Sequence, residues 1–75
     1  MDIRQVVAEN IRFIRQERGL SQEALAMKAG VSLSYVGYIE RAEKTLSIVK
    51  LEKIAKVLKV TPGALMEEGA YREIK

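Results

Sequence analysis

Cysteine and histidine are both missing from this chain of 75 residues. Without cysteine there is no disulfide framework and no thiolate metal site. Without histidine the usual general base, the commonest zinc ligand and the side chain that titrates near neutral pH are gone as well. Proline occurs once and glycine five times, which leaves long stretches open to helix. No apolar run approaches the length of a membrane span, and the N-terminus has no apolar signal-peptide core. The expectation is a cytoplasmic protein with no membrane partner. A glycine-rich phosphate loop is absent, the acids are ordinary helix-surface acids, and no base stands ready to activate a serine. Catalysis, a metal and a cofactor are therefore not expected.

What is present is 48% hydrophobic residues and a net charge of +3, enough for one small helical core. Residues 1–60 hold 11 basic and 7 acidic groups, whereas residues 61–75 hold 2 and 3. The positive excess belongs to the body and agrees with a polyanionic partner without proving one. It also argues against a basic arm at the C-terminal end.

The stretch from Gln22 to Ile39 organises the rest. Leu25, Ala26 and Ala29 share one helical face, and Gly30 follows where a left-handed residue ends the helix without steric penalty. Ser32 is a natural N-cap for a second helix, about Ser32 to Arg41, with Val36 and Ile39 inward. Leu33, Ser34, Gly37 and Tyr38 then face out. Ala26 falls where two steeply crossing helices come closest. Two helices joined by a short glycine turn are a helix-turn-helix, here spanning 22–40.

Around it, a first helix from about Asp2 to Arg18 buries Val7, Ile11 and Ile14, with Asp2 at its start and Gly19 as its stop. Phe13 lies off that stripe and is expected to pack, partly buried, against a neighbouring helix. Ser21 caps the second helix. Ser47 caps a fourth, whose stripe is Ile48, Leu51, Ile54, Ala55 and Leu58, with Lys50, Lys53, Lys56 and Lys59 on its solvated face. Thr61-Pro62 starts a short fifth helix ending near Glu68-Gly69, with Leu65 closing the core. The fold class is all-α, a compact five-helix bundle. The domain is drawn at residues 1–68, with 69–75 as a C-terminal tail.

The spaced positions Arg18-Gly19-Leu20-Ser21-Gln22, Ala26, Gly30, Val36, Ile39-Glu40-Arg41, Ser47-Ile48, Leu51 and Ile54-Ala55 resemble the DNA-binding domain of the phage repressor and Cro type, also called the xenobiotic-response-element family. The resemblance covers roughly Val7 to Leu65 and implies the lambda-repressor-like bundle. Within it, Tyr35 and Glu40-Arg41 before a Ser-capped fourth helix resemble the controller proteins of restriction–modification systems.

With the third helix as reading head, Leu33 can meet a thymine methyl, and the hydroxyls of Ser34 and Tyr38 can bond base edges. Relatives often carry Gln or Arg where Leu33 stands, so a bidentate base reader is missing there, and part of the specificity falls to apolar contact or DNA shape. Ser21, Gln22, Ser32, Tyr35, Arg41 and Lys44 are candidates for the DNA backbone. Gln22 reads either as a solvated amide or, as the resemblance implies, as a phosphate ligand at a helix N-terminus. A glycine inside a helix costs roughly 1 kcal/mol. Gly37 therefore either admits a close surface, DNA being the candidate, or is a tolerated surface residue. The resemblance implies an ion pair between Glu40 and Arg15; an exposed Glu40 paired with Lys44 is the plain alternative. Ala42 stands where the family often has glycine, so the third helix is expected to end differently or run on.

Leu46, Val49, Met66, Tyr71 and Ile74 are more apolar surface than a small monomer needs, and the controller resemblance implies a twofold dimer there. A frayed tail from Tyr71 is the alternative. The expectation is a homodimeric, sequence-specific double-stranded-DNA-binding transcriptional regulator on a palindromic operator. It would act by occupying promoter sites, as a repressor does, or by contacting RNA polymerase. An antitoxin-like or adaptor module, binding a protein with weak DNA affinity, is the second reading.

Overall fold

Every helix starts on a side chain that takes up an orphan backbone donor. In the computed structural model, which describes residues 2–43 and 47–73, the N-caps are Asp2, Ser21, Ser32, Ser47 and Thr61. They open α1 (Ile3–Glu17), α2 (Gln22–Ala29), α3 (Leu33–Glu40), α4 (Ile48–Leu58) and α5 (Pro62–Leu65). Asp2 and Gln5 complete a reciprocal capping box. Hydrogen bonds from the Arg4 guanidinium and the Arg4 N–H hold the Asp2 carboxyl below its ordinary pKa.

The helix ends are as regular. Gly19, Gly30, Ala42 and Lys59 all adopt left-handed backbone angles. The next residue in each case donates back five positions: Leu20 to Arg15, Val31 to Ala26, Glu43 to Tyr38 and Val60 to Ala55, at 2.9–3.0 Å. This is one closure used four times. Glycine fits it without strain at positions 19 and 30, but Ala42 and Lys59 carry a Cβ into a region that disfavours one. Against the expectation for Ala42, α3 neither runs on nor ends differently: the alanine takes the left-handed angle a glycine would.

The closures turn the chain back on itself, and the amphipathic faces converge. α2 packs on α3 and α4, while α1 packs on α3, α5 and a final 3-10 turn, Ala70–Glu73. The core is Val7, Ile11, Ile14, Leu25, Ala26, Ala29, Val36, Ile39, Leu51, Ile54, Ala55, Leu58 and Leu65, the residues the periodicity selects. Ile48 is the exception, at 83% exposed. It is the first residue of α4, and helical side chains lean toward the N-terminus, so its side chain passes beyond the last core layer.

Two further differences lie at the C-terminal end. α5 stops at Leu65 rather than near Glu68. Of the segment set apart as a tail, the turn Ala70–Glu73 is docked: Ala70 is buried, and the Tyr71 ring stacks on Phe13 with centroids 4.6 Å apart. Phe13 thus meets the terminal turn rather than a helix, and keeps an exposed side. The clamp is Asn10, 1% exposed on α1. Its Nδ2 donates to the carbonyls of Leu65 and Glu67 at 2.9 and 2.8 Å, and its Oδ1 accepts from the Tyr71 N–H at 3.1 Å. Asn10 falls three residues after Val7 and four before Ile14, a polar residue within the apolar stripe. That position was its only signal.

Candidate nucleic-acid interface

α3 is fixed from behind and open in front. Val36 and Ile39 anchor it in the core, while Leu33, Ser34 and Tyr38 remain exposed on the other side. Its orientation is set by Glu40, whose carboxylate is 3% exposed and meets Arg15 of α1 through Nε at 2.6 Å and Nη2 at 3.0 Å. Gln22 Nε2 adds a bond to Glu40 Oε1 at 3.0 Å, and Arg15 Nη1 donates to the Leu20 carbonyl at 2.7 Å. Both charges are therefore paired and hydrogen-bonded, the condition under which burying them is tolerable. The network ties α1, the start of α2 and the end of α3 together.

The candidate backbone ligands divide by how much of each side chain the fold already uses. Ser21 and Ser32 are exposed, and their Oγ atoms accept the N–H groups of Ala24 and Tyr35. The amide nitrogen of Gln22 is turned inward to Glu40. Tyr35 is half-buried: its hydroxyl accepts the Ser47 N–H at 3.2 Å, and the Lys50 ammonium lies 4.5 Å from its ring centre. Tyr35 therefore struts α3 against the start of α4. Arg41 is exposed, its Nε 3.1 Å from Glu43 Oε1 and its Cζ 5.3 Å from the Tyr38 ring centre. Lys44 lies outside the described residues.

Gly37 departs from expectation. It is buried rather than open, and what comes close is the Arg41 guanidinium of the same helix. A Cβ at position 37 would stand 3.1 Å from Arg41 Nη1.

Of the candidate dimer residues, Val49 and Met66 are 63% and 45% exposed. Tyr71 is half-buried on Phe13. Leu46 and Ile74 lie outside the described residues. No helix among the described residues is long and apolar enough to cross a membrane.

A Ser-capped helix, a left-handed glycine and a second Ser-capped helix with one face outward make up the motif. The family model described as helix-turn-helix matches residues 11–65. The chain belongs to the helix-turn-helix family. Among the relatives of this helix-turn-helix protein, control protein C.SmaI of Serratia marcescens is 38% identical over 74 residues, covering 97% of this chain and 88% of that one. A hypothetical transcription factor from Neisseria superposes with a TM-score of 0.88 at 35% identity, over 96% and 83% of the two chains. The restriction–modification controller protein C.Esp1396I superposes with a TM-score of 0.80 at 35% identity, over 100% and 99%. C.Esp1396I has also been solved in a nucleoprotein complex, where the match has a TM-score of 0.76 at 35% identity over 87% and 84%. The all-helical bundle is thus the lambda-repressor-like architecture of DNA-binding transcriptional regulators.

Proposed function

We propose that this helix-turn-helix regulator acts as a homodimer on a palindromic double-stranded operator, in the manner of a restriction–modification controller. The observation that carries the reading is α3, whose outward face of Leu33, Ser34 and Tyr38 is presented by a core-packed, ion-paired back. In this reading each α3 enters a major groove, and the half-site centres lie about one helical turn apart, roughly 34–36 Å. Leu33, Ser34 and Tyr38 meet the bases. Ser21, Gln22, Ser32, Tyr35 and Lys44 line the phosphates, and Arg41 adds positive charge at the far end of the helix. The exposed Val49 and Met66 supply apolar surface for the second copy, and Leu46, Tyr71 and Ile74 are the sequence's further candidates for it. Regulation follows from occupancy of promoter DNA, with RNA polymerase as a directly contacted partner where sites adjoin it.

The test is repeated selection from a random duplex pool at near-physiological salt, with Ser34→Ala/Tyr38→Ala protein in parallel. One palindromic motif, lost or relaxed in the double variant, is the expected result. Salt-sensitive binding that enriches no motif would mean that α3 does not read sequence in the isolated protein.

A further inference from the structure

The reading face of α3 contains no side chain able to bond a base in bidentate fashion, yet a guanidinium lies beside it, over Gly37 and near the Tyr38 ring. Arg41 covers the open side of Gly37: a Cβ there would have Arg41 Nη1 at 3.1 Å and Cζ and Nη2 at 3.8 Å as its three nearest neighbours. Residues four apart share a helix face, and side chains lean toward the N-terminus. The Arg41 head is thus carried one turn back from its own Cα, to the level of Gly37. Two contacts hold it there. Glu43 pairs with it, Oε1 standing 3.1 Å from Nε, and the Tyr38 ring lies beneath its Cζ at 5.3 Å. Nη1 and Nη2 have no hydrogen-bond partner among the described residues, and the side chain is half-exposed.

We propose that Arg41 is a specificity-determining residue that reads a guanine in the major groove from its seat over Gly37. This rests on α3 entering that groove. The planar guanidinium presents two parallel donors that match guanine O6 and N7, the commonest specific side-chain contact. Glu43, Tyr38 and the glycine seat fix its plane before binding, so less rotamer freedom is lost on contact. A phosphate ligand needs no such seat, since a point charge on a flexible stem serves equally well. The arrangement also gives the helix-interior glycine a purpose: any side chain at position 37 competes with the guanidinium.

The experiment is the same duplex selection, followed by titration of the recovered site and its single-base variants, on wild-type, Arg41→Lys and Gly37→Ala protein. Circular dichroism confirms that each variant folds. The wild-type motif is expected to contain a G·C pair in each half-site whose replacement weakens binding by about 5- to 150-fold. Arg41→Lys, which keeps the charge, should lose preference at that pair and leave the other positions unchanged. Gly37→Ala should weaken the same preference in part while melting at a higher temperature, because alanine favours the helix.

The inference is overturned if Arg41→Lys recovers the wild-type motif with its guanine preference intact and merely binds every sequence less tightly, as a phosphate contact would. It is equally overturned if Gly37→Ala changes a position that Arg41→Lys does not. A wild-type selection that enriches nothing, or a motif unchanged by Ser34→Ala/Tyr38→Ala, instead removes the α3 reading itself. That outcome is distinct, because the reading positions fail before Arg41 is compared.

Discussion

Replacing Asn10 should cost more than any surface change in α1, and its two replacements should rank in an order that apolar burial alone does not give. Asn10 makes three hydrogen bonds from a 1% exposed position. In Asn10→Ala all three are lost, and the carbonyls of Leu65 and Glu67 and the N–H of Tyr71 lose their partner. At about 0.5–1.5 kcal/mol per bond the three together are worth about 1.5–4.5 kcal/mol, and the groups left unpaired push the loss toward the upper end. A domain of this size has about 4–11 kcal/mol in total, and each kcal/mol moves the melting temperature by about 4–8 °C.

Asn10→Asp keeps the shape and the acceptor for Tyr71. It also turns a carboxylate toward two carbonyl oxygens that stand 2.8–2.9 Å from the donor it replaces. At about pH 7 the aspartate should therefore be less stable than the alanine. Burial raises the folded-state pKa of such an acid above its unfolded value of about 3.9. Its penalty then grows as pH rises past the unfolded value and shrinks below it, where a protonated acid donates one bond. Urea unfolding followed by far-UV circular dichroism, at one fixed protein concentration, measures both variants. Amide exchange at Tyr71 should accelerate in each. An Asn10→Ala cost under about 1 kcal/mol, or an aspartate at least as stable as the alanine at neutral pH, would refute the clamp.

Two other substitutions test the C-terminal end of α3. Glu40→Gln leaves the Arg15 guanidinium buried without its counter-charge and should cost about 3–5 kcal/mol by urea unfolding, whereas Arg15→Met/Glu40→Leu should recover most of that loss. Ala42→Gly relieves a left-handed alanine with φ of 58° and should raise stability by about 0.5–1 kcal/mol, read as a higher urea midpoint at unchanged slope.

The caps and the core were legible because each depends on residues close in sequence. Ser21, Ser32, Ser47 and Thr61 announce helix starts, and the spacing of Val7, Ile11 and Ile14 announces a buried face. Ile48 matched that spacing too, and failed because periodicity says which face a residue is on, not how far the core extends along the helix. Asn10 and Tyr71 are 61 residues apart, so nothing local links them, and a docked turn read as a tail. Gly37 read as an outward-facing residue that either admits a close surface or is simply tolerated, whereas it is buried beneath a guanidinium. The neighbour itself depends on a rotamer of Arg41, which a sequence does not encode legibly. Glu40 and Arg15 were paired through the family resemblance rather than from the residues themselves, and the structure places them 2.6 Å apart.

The two sides of α3 have different consequences for how such a protein changes over generations. Val36, Ile39 and Glu40 answer to the bundle, whereas Leu33 and Ser34 point away from it. If α3 reads DNA as proposed, exchanges at Leu33 and Ser34 would redirect the protein to a new target at little risk to folding, while a change on the inner side threatens the scaffold. On that reading, lineages with the same bundle would drift apart in the DNA they recognise. Position 37 sits between the two regimes, since a larger side chain there strengthens the helix and displaces Arg41 in the same step.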